Sequence, residues 1–194
     1  KELKDVPAVE LKNYMGSRPE HFPKTQAKML YDDEHVYVIF RVEDRYVRAV
    51  ARGYHSRVWQ DSCVEFFFSP VKDGPYYNIE TNCIGTCLAE KGTSRYDRKF
   101  LDPQTLKDIL RYPSLGRNPF EEKAGPVSWN LLLIIPFRKI TGGEINTLEG
   151  KTFYANFYKC GDELSLPHYL SWNPVKTEQP DFHRPEYFVP IECI

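Results

Sequence analysis

The chain has 194 residues, a length that suits one large domain better than two. Its 26 basic and 27 acidic residues nearly cancel, so the charge balance gives no reason to expect a nucleic-acid or anionic-membrane partner. No segment approaches the ~18 consecutive apolar residues of a membrane-spanning helix. The sequence begins at Lys1 and shows no secretory signal pattern. We therefore predict a single domain over residues 1–194 without a membrane span.

The aromatic and cysteine contents narrow the class of protein further. The chain has 13 Tyr, 12 Phe and 15 Pro, a composition that favours strands and long loops over helix bundles. Its five cysteines include no CxxC pair and no spacing typical of a zinc finger. We therefore interpret the cysteines as small buried apolar residues.

In chain order, the first clear element is a β-hairpin. The segment AKMLYDDEHVYVIFRVED (27–44) contains two strand-like runs separated by DDE, which is typical of a turn. In the second run, apolar residues alternate with polar or mixed ones at the period of a half-buried strand. The apolar members are Val36, Val38, Phe40 and Val42.

The next segments, SCVEFFFSP (62–70) and YYNIETNCIG (76–85), are two more predicted strands with a carboxylate inside each. Val64, Phe66 and Phe68 share one face of the first strand, and Glu65 lies on the other. In the second strand, Asn78, Glu80 and Asn82 lie opposite Tyr77, Ile79, Thr81 and Cys83. We expect one face of each strand to enter the core and the other to form a polar surface.

The second half of the chain adds one helix and more strands. DPQTLKDILR (102–111) predicts a short helix with Asp102 as N-cap, Pro103 at the first position, and an apolar stripe of Leu106, Ile109 and Leu110. WNLLLIIPF (129–137) predicts a strand covered on both sides, and TFYANFYKCGD (152–162) a strand with Asn156 and Tyr158 on its polar face. We predict an all-β, antiparallel β-sandwich with one short helix and two long loops, residues 17–23 and 173–188.

The polar strand faces suggest a sugar-binding surface. Carboxylates, amides and a phenol on neighbouring strands can donate to and accept from sugar hydroxyls. An aromatic ring in a loop at the sheet edge can cover the flat C–H face of a pyranose. Trp59 and Phe182 are candidates for this role, whereas Trp129 and Trp172 are expected in the core. The alternative is an ordinary solvated sheet face with Trp59 packed inside.

Enzymatic and metal-binding alternatives stay open at this point. Glu65, Glu80 and Asp61 are carboxylates that could flank a glycosidic bond in a glycoside hydrolase. The sequence has no GxSxG, phosphate-loop or dinucleotide motif. The acidic runs YDDE (31–34) and YDRKFLDP (96–103) offer oxygen ligands without the spacing of an EF-hand, so the metal ligands are unknown.

Several segments together resemble the family 9 carbohydrate-binding modules, and most closely the family-9-like proteins of sugar-degrading gut bacteria. They are WQDSCVEFFFSP, YYNIETNCIGT, WNLLLIIPF, FYANFYKCGD, PHYLSWNP and PDFHRPEYF. The resemblance runs from about Tyr31 to the C-terminus and implies a sandwich that binds oligosaccharides or polysaccharides, often at chain ends, without cleaving them. It also implies that the protein acts together with glycoside hydrolases. Its expected location is secreted, periplasmic or at the surface of a bacterial cell, and structural calcium is expected.

The resemblance also implies a set of ligand-binding residues: Trp59, Glu65, Asn78, Glu80, Tyr158 and Phe182. Trp59 matches the first of two aromatic residues that clamp the sugar, and Glu65 matches the family's carboxylate. Phe182 stands where better-known members have the second clamp tryptophan, which weakens the expected stacking. Asn78 and Glu80 replace a basic residue and an amide, and Tyr158 falls near a later amide. We interpret Asp61 as a structural acceptor for backbone N–H groups.

A haem-binding, DOMON-like sandwich is the remaining alternative. It requires axial ligands such as a Met/His pair. Met15 and Met29 are the only methionines, and both lie outside the segments that carry the resemblance.

Overall fold

The computed structural model describes residues 3–194, with the side chain of Leu3 left out. Residues 1 and 2, which the single-domain prediction also included, lie outside the described residues. The strands are β1 (Val9–Glu10), β2 (Asn13–Tyr14), β3 (Lys24–Tyr31), β4 (His35–Ala49), β5 (Cys63–Ser69), β6 (Tyr76–Asn82), β7 (Cys87–Gly92), β8 (Lys99–Phe100), β9 (Leu110–Pro113), β10 (Phe120–Pro136), β11 (Thr152–Cys160), β12 (Tyr169–Ser171) and β13 (Val189–Glu192).

Two short α-helices and three 3₁₀ turns complete the described elements. The helices are α1 (Pro103–Asp108) and α2 (Phe137–Ile140), and the 3₁₀ turns are Leu3–Asp5, Val58–Gln60 and Pro185–Tyr187. The predicted cap of α1 is confirmed, because the Asp102 carboxylate accepts a hydrogen bond from the Gln104 N–H at 2.7 Å.

The strands form two antiparallel sheets. A five-stranded sheet has the order β1-β3-β4-β10-β9, and an eight-stranded sheet has the order β2-β12-β11-β5-β6-β7-β8, with β13 paired to the early part of β11. The hairpin predicted over residues 27–44 is present as the antiparallel pair β3 and β4. The predicted β-sandwich is therefore confirmed.

The core lies between the sheets. Buried residues of β4 and β10 face those of β5, β6 and β11, and the Phe40 and Phe157 rings meet across the sandwich with centroids 5.9 Å apart. Every residue of β5 and β6 is buried, on the core face and on the opposite face alike. Something other than the core must therefore cover the outer face of these two strands.

Loops cover that outer face and pack on it as a second apolar cluster. Residues 173–188, which we call the roof loop, contribute Val175, Phe182 and Phe188 to this cluster. They pack against Phe67 and Tyr158 of the sheet. The long loop predicted for residues 173–188 therefore exists, apart from the 3₁₀ turn near its end, and it covers the outer face of the eight-stranded sheet.

Three details differ from the sequence-based expectation. The fold has a second helix, α2, where one was predicted. Leu110, expected on the apolar stripe of α1, starts strand β9 and is exposed. The apolar run in β10 is covered on one face only, because Leu131 and Leu133 are buried while Leu132 between them is half-buried.

The five cysteines are buried and unpaired, as expected. Across residues 3–194, no helix is long and apolar enough to cross a membrane.

Candidate functional site

A cavity of about 380 Å³ lies between the outer face of the eight-stranded sheet and the loops that cover it. Its floor comes from β5, β6, β7 and β11, and its walls come from the segment before β5, the turn between β7 and β8, and the roof loop. The lining residues are Trp59, Glu65, Glu80, Leu88, Glu90, Arg95, Arg98, Phe100, Cys160, Asp162, Tyr169, Gln179, Pro180, Phe182 and His183.

Three glutamates on three neighbouring strands form the polar floor of the cavity. Strand periodicity places Glu65 on the face opposite Phe66, and the register pairs Glu65 directly with Glu80 of β6. Glu90 of β7 is paired with Asn78, two residues from Glu80 on the same face. Glu65 and Glu80 are only 2% and 4% exposed, so the cavity contains carboxyl groups with very little access to bulk water.

Arg98 balances part of this acidic floor. Its guanidinium lies 2.7 Å from Glu90 Oε2 and 4.0 Å from Glu80 Oε1. The Asn78 amide donates to Glu80 Oε1 at 2.9 Å and to Glu90 Oε2 at 3.1 Å, which holds both carboxylates in place from behind. Glu65 instead accepts from the Cys160 thiol, with Sγ and Oε1 3.2 Å apart.

Burial changes the protonation of the two facing glutamates. It raises the pKa of Glu65 well above its ordinary value, and the adjacent Cys160 and Glu80 act in the same direction. Burial also raises the pKa of Glu80 to about 7, against the opposing effect of the Arg98 guanidinium. Burial therefore favours the protonated form of both carboxyl groups. A protonated carboxyl can donate as well as accept a hydrogen bond.

A fourth carboxyl group, Asp162, closes one side of the cavity. Its backbone N–H donates to the carbonyl oxygen of Trp59 at 3.0 Å, which fixes the start of the loop after β11 beside that tryptophan. Burial raises the pKa of Asp162 to about 6, although Arg95 lowers it. Burial raises the pKa of Tyr169 to about 12, and the nearby Asp162 charge acts in the same direction.

His183 connects the roof loop to the floor as a neutral imidazole. Burial, together with the Arg98 and Arg95 charges, lowers its pKa to about 2. Arg98 Nη1 lies 2.9 Å from Nε2, and Tyr76 Oη lies 3.0 Å from Nδ1. Because the guanidinium can only donate, Nε2 must accept, so we assign the ring proton to Nδ1, which donates to Tyr76.

Trp59 is half-buried and lines the cavity from the 3₁₀ turn Val58–Gln60, just before β5. Asp61 anchors this turn. Its buried carboxylate accepts from the N–H groups of Val50 at 3.0 Å and Ala51 at 2.9 Å, and from the Asn82 amide at 2.9 Å. The predicted structural role of Asp61 is confirmed, and Asp61 does not line the cavity.

As predicted, Trp129 is buried in the core, and Trp172 packs against the core.

Phe182 lines the cavity, but most of its surface is already in contact with the protein. It is 8% exposed and stacks on Tyr158, with ring centroids 4.3 Å apart and an interplanar angle of 13°. Tyr158 itself is fully buried under Phe182 and does not line the cavity. Asn78 is also fully buried and supports the two glutamates from behind.

Four of the six predicted ligand-binding residues therefore line one cavity: Trp59, Glu65, Glu80 and Phe182. Asn78 and Tyr158 lie behind its walls. Sequence reasoning missed Glu90, Arg95, Arg98, Asp162, His183 and Phe100. Glu90 carries the same signal as Glu65 and Glu80, alternation within a strand, in the segment CLAEKG, which was not identified as a strand. The two arginines and Asp162 follow strand ends, and nothing in their local pattern separates them from surface charges.

In each acidic run, one aspartate accepts hydrogen bonds within its own turn. Asp32 accepts from the N–H groups of Glu34 and His35 in its own turn, and Asp97 does the same for Thr93 and Ser94. Among the described residues, one group of three His, Cys, Asp or Glu side chains brings its ligand atoms within 4.8 Å of one another: Cys63, Glu65 and Cys160. Two thiols and one carboxyl group do not suit calcium, which takes six to eight oxygen ligands.

Solved structures share this architecture. A Bacteroides uniformis protein described as a candidate carbohydrate-binding protein matches with 37% identity and a TM-score of 0.90, over 96% of this chain and 86% of that one. Two structures of a family 9 carbohydrate-binding module from Caldicellulosiruptor kristjanssonii also match. The complex with glucose has 13% identity and a TM-score of 0.55 over 99% and 86% of the two chains, and the cellotriose complex has 12% and 0.54 over 98% and 84%. At these identities the second pair shows a shared fold.

Among curated proteins, none matches this sequence. The profile described as Carbohydrate-binding family 9 matches residues 3–193, which is nearly the whole chain. The chain therefore belongs to carbohydrate-binding family 9, and its function is carbohydrate binding.

Proposed function

We propose that the protein binds a neutral sugar in the 380 Å³ cavity and releases it uncleaved. The observation that carries this proposal is the floor of buried carboxyl groups beside a half-buried tryptophan, Trp59, in the wall. Burial of the floor strengthens each hydrogen bond to a ligand, since water competes little for the same groups. Trp59 offers an apolar ring for the C–H face of a pyranose.

The electrostatics of the floor favour a neutral ligand over an acidic one. Four carboxyl groups line the cavity, Glu65, Glu80, Glu90 and Asp162, against two guanidinium groups, Arg95 and Arg98. Arg98 is already engaged with Glu90 and His183, and Arg95 pairs with Asp181 at 3.3 Å. A sugar carboxylate would add another buried negative charge beside carboxyl groups whose own ionisation burial already disfavours, whereas hydroxyl groups can exchange hydrogen bonds with both protonated and ionised carboxyl groups.

The arrangement of the glutamates argues against hydrolysis. Glu65 and Glu80 are directly opposite each other in adjacent strands, and both side chains project from the same floor. Glycoside hydrolases place their two carboxyl groups on either side of the scissile bond. Two carboxyl groups that rise side by side from one surface meet the same side of a sugar, which suits binding better than cleavage.

The haem alternative receives no support from the cavity. Met15 is buried in the second apolar cluster and Met29 packs against the main core, so neither methionine lines the cavity. The neutral His183 is also engaged by Arg98 and Tyr76. A Met/His axial pair is therefore not formed at this site.

The proposal is tested by isothermal titration with gluco-, xylo- and manno-oligosaccharides and their monosaccharides, followed by chromatography of the ligands. We expect saturable binding with a Kd between about 1 mM and 1 µM, and intact sugars afterwards. Cleaved products would contradict the proposal and point to Glu65 and Glu80 as catalysts. Absence of binding to the whole panel would contradict the assignment of this cavity.

Trp59→Ala should weaken sugar binding about tenfold or more, because it removes the stacking ring, while the melting temperature changes little. Tyr112→Ala is the matched control, since Tyr112 is an exposed aromatic residue of β9 in the other sheet. A large drop in melting temperature for Trp59→Ala would instead show that this ring serves mainly to hold the fold together.

We also propose that the protein acts outside the cytoplasm beside glycoside hydrolases, since polymeric glycans reach a cell from outside. Cell fractionation with an antibody to this chain tests the location, and co-purification with a glycoside hydrolase tests the partnership. Structural calcium is the remaining expectation from family resemblance. Thermal unfolding and the same titrations, repeated with a calcium chelator, test it: a lower melting temperature would support a structural calcium ion.

A further inference from the structure

We propose that Phe100 is a second sugar-stacking platform, and that the cavity holds an oligosaccharide of at least two pyranose units between this ring and the Phe182 end. The inference rests on the proposed function and extends it. It assigns a binding role to a residue outside the predicted clamp, and it specifies a minimum ligand length.

Exposure separates the two phenylalanines that line the cavity. Phe182 is 8% exposed, with one ring face against Tyr158 and Tyr169 near its edge at a centroid distance of 6.4 Å. Phe100 is 57% exposed. A stacking platform needs one open face about the size of a sugar ring, and Phe100 provides more of that surface than Phe182.

Phe100 is also held in place from behind. It belongs to the short edge strand β8, where it is paired with Glu90, and the following N–H, of Leu101, donates to the Ala89 carbonyl oxygen at 2.9 Å. The ring of His55 lies against Phe100 with centroids 4.3 Å apart and an interplanar angle of 33°. One face of the phenyl ring is therefore covered and the other remains open.

His55 is itself fixed in an uncommon backbone conformation. Its φ is 61°, in the left-handed region that few residues other than glycine adopt, and its N–H donates to the Cys87 carbonyl oxygen at 3.2 Å. The segment that positions Trp59 thus also provides the support for Phe100. A rigid aromatic surface loses little conformational entropy when a ligand covers it.

The sheet order places the two phenylalanines far apart. Phe182 stacks over Tyr158 of β11, and Phe100 belongs to β8, with β5, β6 and β7 between these strands. Four strand spacings of about 4.8 Å separate β11 from β8, or about 19 Å along the sheet. That span exceeds one pyranose ring, so a single sugar cannot fill the floor from end to end.

The chemistry between the two ends is suited to a sugar chain. Glu65, Glu80 and Glu90 occupy successive strands along the floor, so hydroxyl-binding groups continue from the Phe182 end to the Phe100 end. An aromatic ring at the end of this row covers the apolar face of the outer sugar unit. We therefore infer that a monosaccharide uses only part of the site.

The test is a length series of ligands measured by isothermal titration. Glucose, cellobiose and cellotriose, and in parallel xylose, xylobiose and xylotriose, are titrated into the wild-type protein, Phe100→Ala and Phe100→Tyr. In the wild type, we expect the second sugar unit to strengthen binding about tenfold, as one added stacking contact would. Phe100→Ala should lose this gain, so that its affinities for the monosaccharide and the disaccharide converge, and Phe100→Tyr should keep it.

Tyr96→Ala is the matched control, because Tyr96 is 94% exposed in the turn before β8 and does not line the cavity. A Phe100→Ala variant that keeps the full length-dependent gain, or that loses affinity equally for all lengths, overturns the inference and leaves the proposed function intact. A wild-type protein that binds no member of either series overturns both.

Discussion

The two sheets of this sandwich have outer faces with similar sequence patterns and different environments. On β4 of the five-stranded sheet, Arg41 and Glu43 alternate with buried Val42 and are exposed. On β5 and β6 of the eight-stranded sheet, Glu65 and Glu80 alternate with Phe66 and Ile79 in the same way, yet they are buried. Alternation identifies the face of a strand, and separate segments of the chain decide whether that face meets water.

The difference arises from the roof loop and the turn between β7 and β8. These segments cover the eight-stranded sheet and enclose the cavity on its outer face. Charged residues on a covered face interact in a medium of lower effective dielectric, so their protonation and hydrogen bonds respond to one another. The covered face is therefore where chemical specificity can develop.

The largest expected effect on stability comes from Phe66, which lies on the core face of β5, opposite the cavity floor. Phe66→Ala removes a fully buried ring that stacks on Phe68 and Phe157, with centroids 5.2 and 5.3 Å away. We expect the free energy of unfolding to fall by about 4 kcal/mol, as for other buried Phe→Ala changes. Urea denaturation measures it. Phe66→Leu is the milder control, and a loss below about 1 kcal/mol for the alanine variant would contradict the assigned packing.

The second largest effect is expected at Asp61, which anchors the 3₁₀ turn Val58–Gln60 that carries Trp59. Asp61→Ala leaves the N–H groups of Val50 and Ala51, the Asn82 amide and the Arg48 guanidinium without this acceptor. We expect a loss of about 3 kcal/mol in unfolding free energy, because buried donors lose their partner. Sugar affinity should fall as well, since the turn positions Trp59. Denaturation and titration of the same sample measure both effects, and unchanged affinity would show that the turn keeps its shape without Asp61.

A smaller, pH-dependent effect distinguishes the buried floor from the open face. The pKa of Glu80 is raised to about 7 by burial, so between about pH 4.5 and pH 7 the unfolded chain binds fewer protons at this residue than the native chain does. Its contribution to stability therefore declines as pH rises through that window. Glu80→Gln removes this decline, and the variant should gain on the order of 2 kcal/mol relative to wild type between pH 4.5 and 7.5.

Thermal unfolding of wild type and Glu80→Gln across this pH range measures the gain. Comparing the two proteins at each pH cancels the contribution of His168, whose pKa is lowered to about 3 by burial and by the Lys159 charge. Glu43→Gln on the open face is the matched control for the same chemical change. A constant difference between wild type and Glu80→Gln would refute the raised pKa.

The smallest effect belongs to the open face. Lys24 and Glu43 form an ion pair of 3.0 Å, and their side chains are 59% and 63% exposed. Lys24→Ala should change the unfolding free energy by less than about 0.5 kcal/mol, because solvent screens the pair and ordering two long side chains offsets the attraction. Urea denaturation at low and high salt measures it. A loss of unfolding free energy above 1 kcal/mol would contradict the expected difference between the exposed and the covered outer faces.

Much of the fold could be predicted from local pattern. Alternation in 27–44 located the β3–β4 hairpin, and the Asp102-Pro103 pair located α1, because both signals depend on neighbours in sequence. The short α2 could not be recognised, since Phe137–Ile140 is only one turn long and follows a strand of seventeen residues. The one-sided burial of β10 was missed because apolar residues on both faces do not reveal which face is covered.

The site was predictable only where its residues lie within strands. Glu65 and Glu80 were identified because alternation places each on the non-core face of its strand. Arg98 and His183 were missed because their positions depend on contacts across 85 residues of chain, with no local signature. Phe182 was chosen as a loop aromatic residue and by family resemblance, and the structure shows its ring to lie mostly against Tyr158. Exposure, which sequence alone does not give, distinguishes it from Phe100.

The packing of the second apolar cluster affects the rate at which a sugar can bind. Because Val175, Phe182 and Phe188 are buried against the sheet, we expect the cavity to have its shape before a sugar arrives. The ordering of the roof loop is completed during folding, so no lid has to close on the ligand. Association should then be a single step whose observed rate rises linearly with sugar concentration. Differences in affinity between sugars would lie mainly in how long each one stays bound.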